Sequence, residues 1–313
     1  MRSFGKNQAM RFATVHEQNL FCKNWRSILL CLLALIILFW GCAVVPKTLL
    51  IKDIPASFQE GTIISGQTGK LVTFEELLGD LNDQSVIYIG ESHTDKYHHG
   101  IQLQIIQAIY KTHASMAVGM EMFDHSYQPI LDQWSDGQLD RKSFKEKTHW
   151  SYNWKFDFDL YSDILNFVKE NRIKLVGLNI PPHIQRKIAR GGIESIFGDD
   201  KKHLPEKIDL SNTAHRAYVE KVYKQHRHMG MLDNFEYFYM AQCVWEDVMA
   251  EAIAQNLKED MLVVLAGNGH IQFKYGIPDR AFRRTGASFR TIYLASVGGE
   301  VELGIADYIW VTP

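Results

Sequence analysis

The sequence predicts an α/β fold with a mostly parallel sheet, an antiparallel edge, flanking helices and a helical insertion subdomain. Short apolar runs rich in β-branched residues recur along the chain, which is typical of strands buried on both faces. Segments with helical spacing separate these runs, as expected of strand–helix–strand units with right-handed crossovers. Gly298-Gly299 lies between the apolar runs 289–295 and 301–309 and predicts a hairpin, which would make the sheet edge antiparallel.

The predicted elements follow one another in a regular order. Thr73 stands three residues before Glu76, a capping-box spacing, and predicts the start of the first helix. Later helices are predicted where apolar residues recur every three to four positions. The predicted strands cover 86–89, 117–121, 173–179 and 261–266, and the predicted helices cover 96–112, 127–134, 160–171 and 231–257.

Composition and patterning divide the chain into three regions. Residues 1–41 are predicted to be a signal or N-terminal region, 42–70 a tether and lead-in, and 71–313 an α/β domain with a polar, His-rich helical insertion at about 192–230. A length of 313 residues, with 46% hydrophobic and 12% aromatic residues, is sufficient for such a core. The formal net charge is −2 and no basic stripe is present, so nucleic acid is not an expected partner.

The N-terminal region has the order of an export signal. Lys23 and Arg26 precede the uncharged apolar run 28–40, and Gly41-Cys42 follows it. A cysteine directly after a small residue resembles a bacterial lipoprotein signal, which implies that Cys42 carries the lipid. We therefore expect a lipid-anchored protein of the bacterial cell envelope. The alternative is an uncleaved anchor over 28–45, which is borderline in length for spanning a membrane.

Polar side chains follow three of the predicted strands at the point where each ends. Glu91 and His93 follow the first strand, Glu121 ends the second, and His270 follows the last. The carboxyl ends of parallel strands are where α/β sheets bind ligands, so these four side chains are expected to share one polar site. Imidazole nitrogen and carboxylate oxygen suit a first-row divalent metal. His98, His99 and Asn268 are expected at the rim of this pocket.

The order of these motifs resembles a known family. It runs from Gly90-Glu91-Ser92-His93 through Gly119-Met120-Glu121 to Ala266-Gly267-Asn268-Gly269-His270. Together with Phe238-Tyr239-x-Ala241-Gln242-x-x-Trp245 and Gly276-Ile277-Pro278-x-Arg280, it is similar to the ChaN-like haem-binding uptake lipoproteins of the Tiki superfamily, over roughly residues 71 to 290.

The resemblance implies an outer-membrane lipoprotein that binds haem in haem or iron acquisition. It also implies a homodimer, because ChaN-like proteins hold haem between two protomers, and an outer-membrane haem or iron receptor is a possible partner. A haem ligand must be a Tyr, His, Met or Cys side chain beside an apolar surface. The His-rich insertion offers such side chains at Tyr223, His226, His228 and Met229.

An enzyme is the alternative function. In Tiki peptidases, similar Gly-x-x-His and Gly-x-Glu motifs bind a metal, which implies His93, Glu121 and His270 as ligands here, with Mn, Co or Zn as the metal. Glu91 would then act as the general base for a metal-bound water in a peptidase or esterase-like hydrolase. The sequence leaves open whether the chain is an enzyme or a binding protein.

Overall fold

The predicted apolar runs form the centre of a twisted sheet in the part of the chain that the structure describes. A computed structural model describes residues 47–226, 234–258 and 261–313. The predicted signal region with Cys42, and the haem-ligand candidates His228 and Met229, lie outside these residues. No helix within the described ranges is long and apolar enough to span a bilayer.

Eight of the strands in the described ranges form one sheet, in the order β4-β3-β11-β9-β5-β8-β6-β7. The pairs from β11 to β7 are parallel, and β3 is antiparallel to both β11 and β4. The strands are β1 (Leu49–Ile51), β2 (Ser57–Phe58), β3 (Ile63–Ser65), β4 (Leu71–Val72), β5 (Val86–Glu91), β6 (Ala117–Asp124), β7 (Lys174–Asn179), β8 (Leu262–Gly267), β9 (Phe289–Ser296), β10 (Glu300–Val301) and β11 (Tyr308–Thr312). The predicted fold class, a mostly parallel sheet with an antiparallel edge, is confirmed.

The predicted hairpin at Gly298-Gly299 is wrong, although the sheet does have an antiparallel edge. Strand β9 pairs with β11 in parallel, and β10 leaves this sheet to pair with β1. Gly298 has a φ of +86°, a value that favours glycine, and its N–H donates to the Thr48 carbonyl over 2.9 Å. This turn directs the chain into a small second sheet of β10, β1 and β2 before it returns as β11.

Helices cover both faces of the large sheet, which is why the central strands are apolar on both sides. Side chains of α1, α2, α3 and α6 pack on one face, and those of α9 and α11 pack on the other. The helices are α1 (Phe74–Leu81), α2 (Lys96–Tyr110), α3 (Gln128–Ser135), α4 (Arg141–Lys147), α5 (Trp150–Asn153), α6 (Ser162–Glu170), α7 (Pro182–Gly191), α8 (Thr213–His226), α9 (Phe235–Asn256), α10 (Asn268–Ile271) and α11 (Ile277–Thr285).

Helix α1 begins where the sequence predicts it. The Thr73 hydroxyl accepts a hydrogen bond from the Glu76 N–H over 3.1 Å, and the Glu76 carboxylate accepts one from the Thr73 N–H over 2.8 Å. The capping box is thus complete and satisfies two N–H groups that a helix start otherwise leaves unpaired.

A side chain covers the backbone of β7 at the edge of the sheet. The Gln128 amide donates to the Leu175 carbonyl over 2.7 Å, and its oxygen accepts from the Gly177 N–H over 3.1 Å. An edge strand otherwise leaves such groups open to another strand. Gln128 therefore takes the place of a neighbouring strand at the centre of β7.

The His-rich segment after α7 contains short 3₁₀ turns at Ile193–Ser195 and Gly198–His203, followed by α8. Val219 of α8 is buried against Tyr239 and Cys243 of α9, and the buried Tyr223 contacts Phe238 of the same helix. This packing places one side of α8 beside the carboxyl ends of the central strands, which carry the candidate site.

Candidate functional site

The strand ends bring together Glu91, His93, Glu121 and His270, which we call the strand-end cluster. Gly267, the last residue of β8, shows how closely they meet. A Cβ atom on Gly267 would lie 3.1 Å from the His93 ring and 3.6 Å from Glu121 Oε2. The Glu121 and His270 side chains are in turn 3.5 Å apart, between Oε1 and Nε2. The structure therefore brings these four side chains together at one edge of the sheet.

Glu91 is fully engaged by its neighbours. Its Oε1 accepts hydrogen bonds from the Tyr161 hydroxyl and from His93 Nδ1, both over 2.7 Å, and its Oε2 accepts one from the Gln102 amide over 2.9 Å. Although burial raises the pKa of Glu91, the hydrogen bonds from His93 and His99 hold it far below its usual range. A carboxylate held in this way is a weak base near neutral pH, so the arrangement does not favour the predicted general-base role.

His93 is the most accessible member of the strand-end cluster, with 26% of its side chain exposed. Its ring contacts Trp154 and Phe156, with centroids 4.8 Å away in each case. Burial lowers the pKa of His93, but the hydrogen bond to Glu91 and the charge of Glu121 outweigh it and raise the pKa above its usual value. The cluster therefore presents an imidazole of raised pKa beside two aromatic rings.

His270 lies between two buried carboxylates. Its Nε2 faces Glu121, and its Nδ1 is 3.2 Å from Oε1 of Glu246, a residue of α9. Burial opposes the charge on His270, but the two carboxylates raise its pKa to about 10. The same contact with His270 helps to hold the pKa of Glu121 below its usual range in spite of burial. The positive charge of His270 and the negative charges of Glu121 and Glu246 thus compensate one another.

The two neighbouring histidines predicted at the rim differ in role. His98 is buried, and its Nδ1 accepts from the Ser92 N–H over 2.8 Å, so its Nε2 carries the proton that it donates to the Thr312 hydroxyl over 3.1 Å. It thus ties the loop after β5 to β11. His99 Nδ1 lies 3.4 Å from Glu91 Oε2, and its Nε2 donates to the His93 carbonyl over 3.2 Å. His99 therefore helps to hold Glu91 and the backbone of His93 in place.

Asn268, the third residue predicted at the rim, links β8 to β9. Its amide donates to the Leu294 carbonyl over 2.8 Å, while its Oδ1 is buried and has no hydrogen-bond donor among the described residues. A Cβ atom on Gly90 would lie only 2.0 Å from this oxygen. Gly90 is therefore required in β5 for the close approach of the Asn268 side chain.

The three predicted metal ligands are paired with one another and with their neighbours. Among the described residues, no group of three or more His, Cys, Asp or Glu side chains is arranged to hold a metal ion. The physical reason lies in the donor set: Glu121 Oε2 accepts from the Gly267 N–H over 2.7 Å, and both nitrogens of His270 face carboxylates. As arranged here, the strand-end cluster does not fit a resident metal.

An apolar slot opens beside His270, between α8 and α9. Its volume is about 160 Å³, below the roughly 300–1,000 Å³ that is usual for small-molecule sites. The Tyr218 hydroxyl accepts a hydrogen bond from Gln272, and burial raises its pKa to about 12. The residues that line the slot are Tyr218, Val219, Val222, Phe238, Gln242, Gly269 and His270.

The structure describes the four predicted haem ligands to different extents. Tyr223 is buried, and its ring contacts Phe235 and Phe238 at centroid distances of 5.4 Å each. His226 ends α8, and the structure describes its backbone only. These two positions, with His228 and Met229 outside the described residues, stay predictions. Tyr218 is the tyrosine of α8 that lines the slot.

Sequence reasoning missed the buried charges behind the slot. Glu246 and Arg280 are buried, and Glu246 Oε2 lies 3.3 Å from Arg280 Nε. His215, in the first turn of α8, lies 3.1 Å from the same carboxylate oxygen. A usable signal was present: the adjacent acids Glu246 and Asp247 interrupt an otherwise apolar stretch of α9, and such acids are buried only when paired.

Known proteins of similar sequence and fold exist. A solved structure described as cofacial heme binding to ChaN of Campylobacter jejuni aligns with a TM-score of 0.64, at 20% identity, over 79% of this chain and 95% of that chain. The protein RETICULATA-RELATED 5, chloroplastic, of Arabidopsis thaliana is 21% identical over 252 residues, which are 72% of this chain but only 34% of that protein. A mutant of the erythromycin esterase EreC aligns with a TM-score of 0.42, at 15% identity, over 75% of this chain and 77% of that chain.

A match to a family model confirms the resemblance that the strand-end motifs predict. The Campylobacter structure shares the fold, with its mostly parallel sheet and flanking helices. The matched region of the family model begins in α1 and ends in α11, so it includes the strand-end cluster and the apolar slot. The model for haem-binding uptake, Tiki superfamily, ChaN, matches residues 77–281, and the chain belongs to this family.

Proposed function

We propose that this chain binds haem at the apolar slot and serves haem or iron acquisition at the bacterial cell envelope. The observation that carries the proposal is the combination of apolar walls from Val219, Val222 and Phe238 with the hydroxyl group of Tyr218. A haem site needs apolar surface for the macrocycle and an axial side chain such as Tyr. Membership of the haem-binding uptake family supports the same ligand.

The residues present fit this ligand in kind. Tyr218 is the candidate axial residue within the slot, and Tyr223, His226, His228 and Met229 remain candidates near the same helix. When bound, haem would supply an iron centre whose spectrum reports on its axial ligand. The slot is too small to enclose a macrocycle, which supports the proposal that a second copy of the chain completes the site in a homodimer. Cofacial heme binding to the Campylobacter protein is in keeping with such an arrangement.

A titration tests this function directly. Haemin is added to the full-length protein, in detergent where needed, and the Soret band is recorded. We expect a saturable shift at low micromolar haemin, together with a mass increase from monomer to dimer in light scattering. A linear, unsaturated response that matches haemin in protein-free buffer contradicts haem binding. Saturation without a change in mass contradicts the dimer.

The envelope location and the lipid anchor are part of the proposal. Their support is the order of basic residues, apolar run and Gly41-Cys42 at the N-terminus. Expression in a bacterial host followed by membrane fractionation and mass spectrometry should find a lipid-modified Cys42 as the first residue. Cys42→Ser should leave an unprocessed chain. A mature protein that retains residues 1–41 supports the uncleaved anchor instead, and pull-down with outer-membrane extracts tests for a haem or iron receptor.

A further inference from the structure

One buried carboxylate connects two parts of the apolar slot: the wall that α8 forms, and the floor that Gln242 and His270 form. Glu246 has no exposed surface, and two polar side chains lie within 3.3 Å of each of its oxygens. Oε1 accepts from the Gln242 amide over 2.8 Å and lies 3.2 Å from His270 Nδ1. Oε2 lies 3.1 Å from His215 Nε2 and 3.3 Å from Arg280 Nε.

The partners of Glu246 belong to different parts of the slot. Gln242 and His270 line it directly. His215 is buried in the first turn of α8, three residues before Tyr218, so its contact with Glu246 links the start of the helix that supplies the slot wall to α9. Arg280 comes from α11, which packs on the same face of the sheet.

The surrounding backbone is shaped around this carboxylate. A Cβ atom on Gly276 would lie 2.8 Å from Glu246 Oε1 and 2.4 Å from the His270 carbonyl oxygen, so a larger residue there would displace one of them. Removing one partner of a buried ion pair leaves the others without compensation. A neutral side chain at position 246 would therefore weaken its contacts with both His215 and His270.

We propose that Glu246 is a positioning residue for ligand binding in the slot. Through His215 it sets the position of α8, and through Gln242 and His270 it sets the floor, so the distance between Tyr218 and the floor depends on it. This inference rests on the proposed function of the slot, but the placement of α8 can be measured without a ligand.

Asp247 provides a matched control. It is the next residue of α9, is equally buried, and also pairs with Arg280. Its other partners are Arg284, 2.8 Å away, and the N–H of Asp209, 2.9 Å away. Asp247→Asn therefore removes a buried charge of the same network at a residue that does not line the slot.

The experiment compares full-length Glu246→Gln and Asp247→Asn with the parent protein. Hydrogen exchange of 213–226 reports the placement of α8, and haemin titration with visible and electron paramagnetic resonance spectra reports the slot. We expect both variants to unfold at lower temperature, but only Glu246→Gln to exchange faster in α8. We expect Glu246→Gln to bind haemin at least about tenfold more weakly than the parent protein, with an altered spectrum, because the buried partners of Glu246 are left unsatisfied.

The outcomes separate this inference from the proposed function. Equal effects of the two variants on α8 exchange and on haemin affinity would assign Glu246 a purely structural role and overturn the inference. If the parent protein binds no haemin, the proposed function fails, while faster exchange of α8 in Glu246→Gln alone still supports the positioning role. If Glu246→Gln does not fold, His215→Gln changes the contact of Glu246 with α8 and leaves its contacts with Gln242 and His270 in place. Unchanged exchange of α8 in that variant also overturns the inference.

Discussion

Tyr161 donates its hydroxyl hydrogen to Glu91 Oε1 over 2.7 Å and so joins two buried residues that are 70 positions apart. Tyr161 lies in the 3₁₀ turn Phe158–Tyr161 before α6, whereas Glu91 ends β5. The bond fixes the carboxylate that also accepts from His93. The accessible imidazole of the strand-end cluster is thus oriented by a phenol that no motif in the sequence marks.

Tyr161→Phe should destabilise the protein, since it removes a hydrogen bond to a buried charge. We expect the free energy of unfolding to fall by about 1.5–3 kcal/mol, measured by urea denaturation. Tyr152→Phe is the control, because Tyr152 is exposed and its hydroxyl accepts a long hydrogen bond, of 3.4 Å, from Arg186. A loss of stability no larger than that of the control would show that the Glu91 contact contributes little.

His98→Gln should change the dependence of stability on pH. Burial lowers the pKa of His98 in the folded protein, and its Nδ1 is already an acceptor for the Ser92 N–H. The unfolded chain, with a histidine pKa of about 6.5, therefore takes up the proton first as pH falls. The stability contribution of neutral His98 is present above about pH 6.5 and is lost as pH falls through the lowered folded pKa.

The measurement is the free energy of unfolding from pH 7.5 to 5 in both proteins. Below about pH 6.5 the parent protein should lose stability relative to His98→Gln, which cannot take up this proton. His183→Gln, at an exposed position on α7, is the control for general effects of removing a histidine. Parallel curves for the parent protein and His98→Gln would contradict the expected change.

Gly90→Ala should disrupt the junction between β5 and α10. The added methyl group would lie 2.0 Å from Asn268 Oδ1 and 2.8 Å from Ile271 Cδ1. We expect a loss of about 1–3 kcal/mol in the free energy of unfolding, because close-packed interiors tolerate added atoms poorly. Gly100→Ala on α2 meets nothing within 4 Å and should instead stabilise its helix by about 0.5–1 kcal/mol. Thermal unfolding of the two variants should thus shift in opposite directions, and a shift in the same direction would refute the packing argument.

Val222→Glu should weaken haemin binding. The new carboxylate would enter an apolar slot and lose hydration when a macrocycle covers it, so we expect the dissociation constant in the Soret titration to rise about tenfold or more. Gln225→Glu adds the same charge to the exposed side of α8 and should bind haemin like the parent protein. Equal weakening by both variants would point to a general charge effect, and an unchanged Val222→Glu would place the haem elsewhere.

The strand-end cluster could be predicted from the sequence because each of its members directly follows, or ends, a buried strand. Parallel strands place their carboxyl ends at one edge, so Glu121 and His270 had to lie near each other once β6 and β8 were recognised. The partners on helices could not be found in this way. Gln102 and Tyr161 reach Glu91 through tertiary packing, which leaves no local pattern. Strand pairing near the C-terminal end of the sheet was harder still to predict, because the direction of the chain after Gly298 depends on its contact with Thr48.

The side chain of Gln128 blocks strand pairing at the β7 edge of the sheet. Its amide group supplies one donor and one acceptor, as a peptide unit would, to the Leu175 carbonyl and the Gly177 N–H. An incoming strand from another molecule would have to break both bonds before it could pair there. Copies of this protein that meet at this side therefore gain little from edge-to-edge strand pairing, which disfavours association through β7.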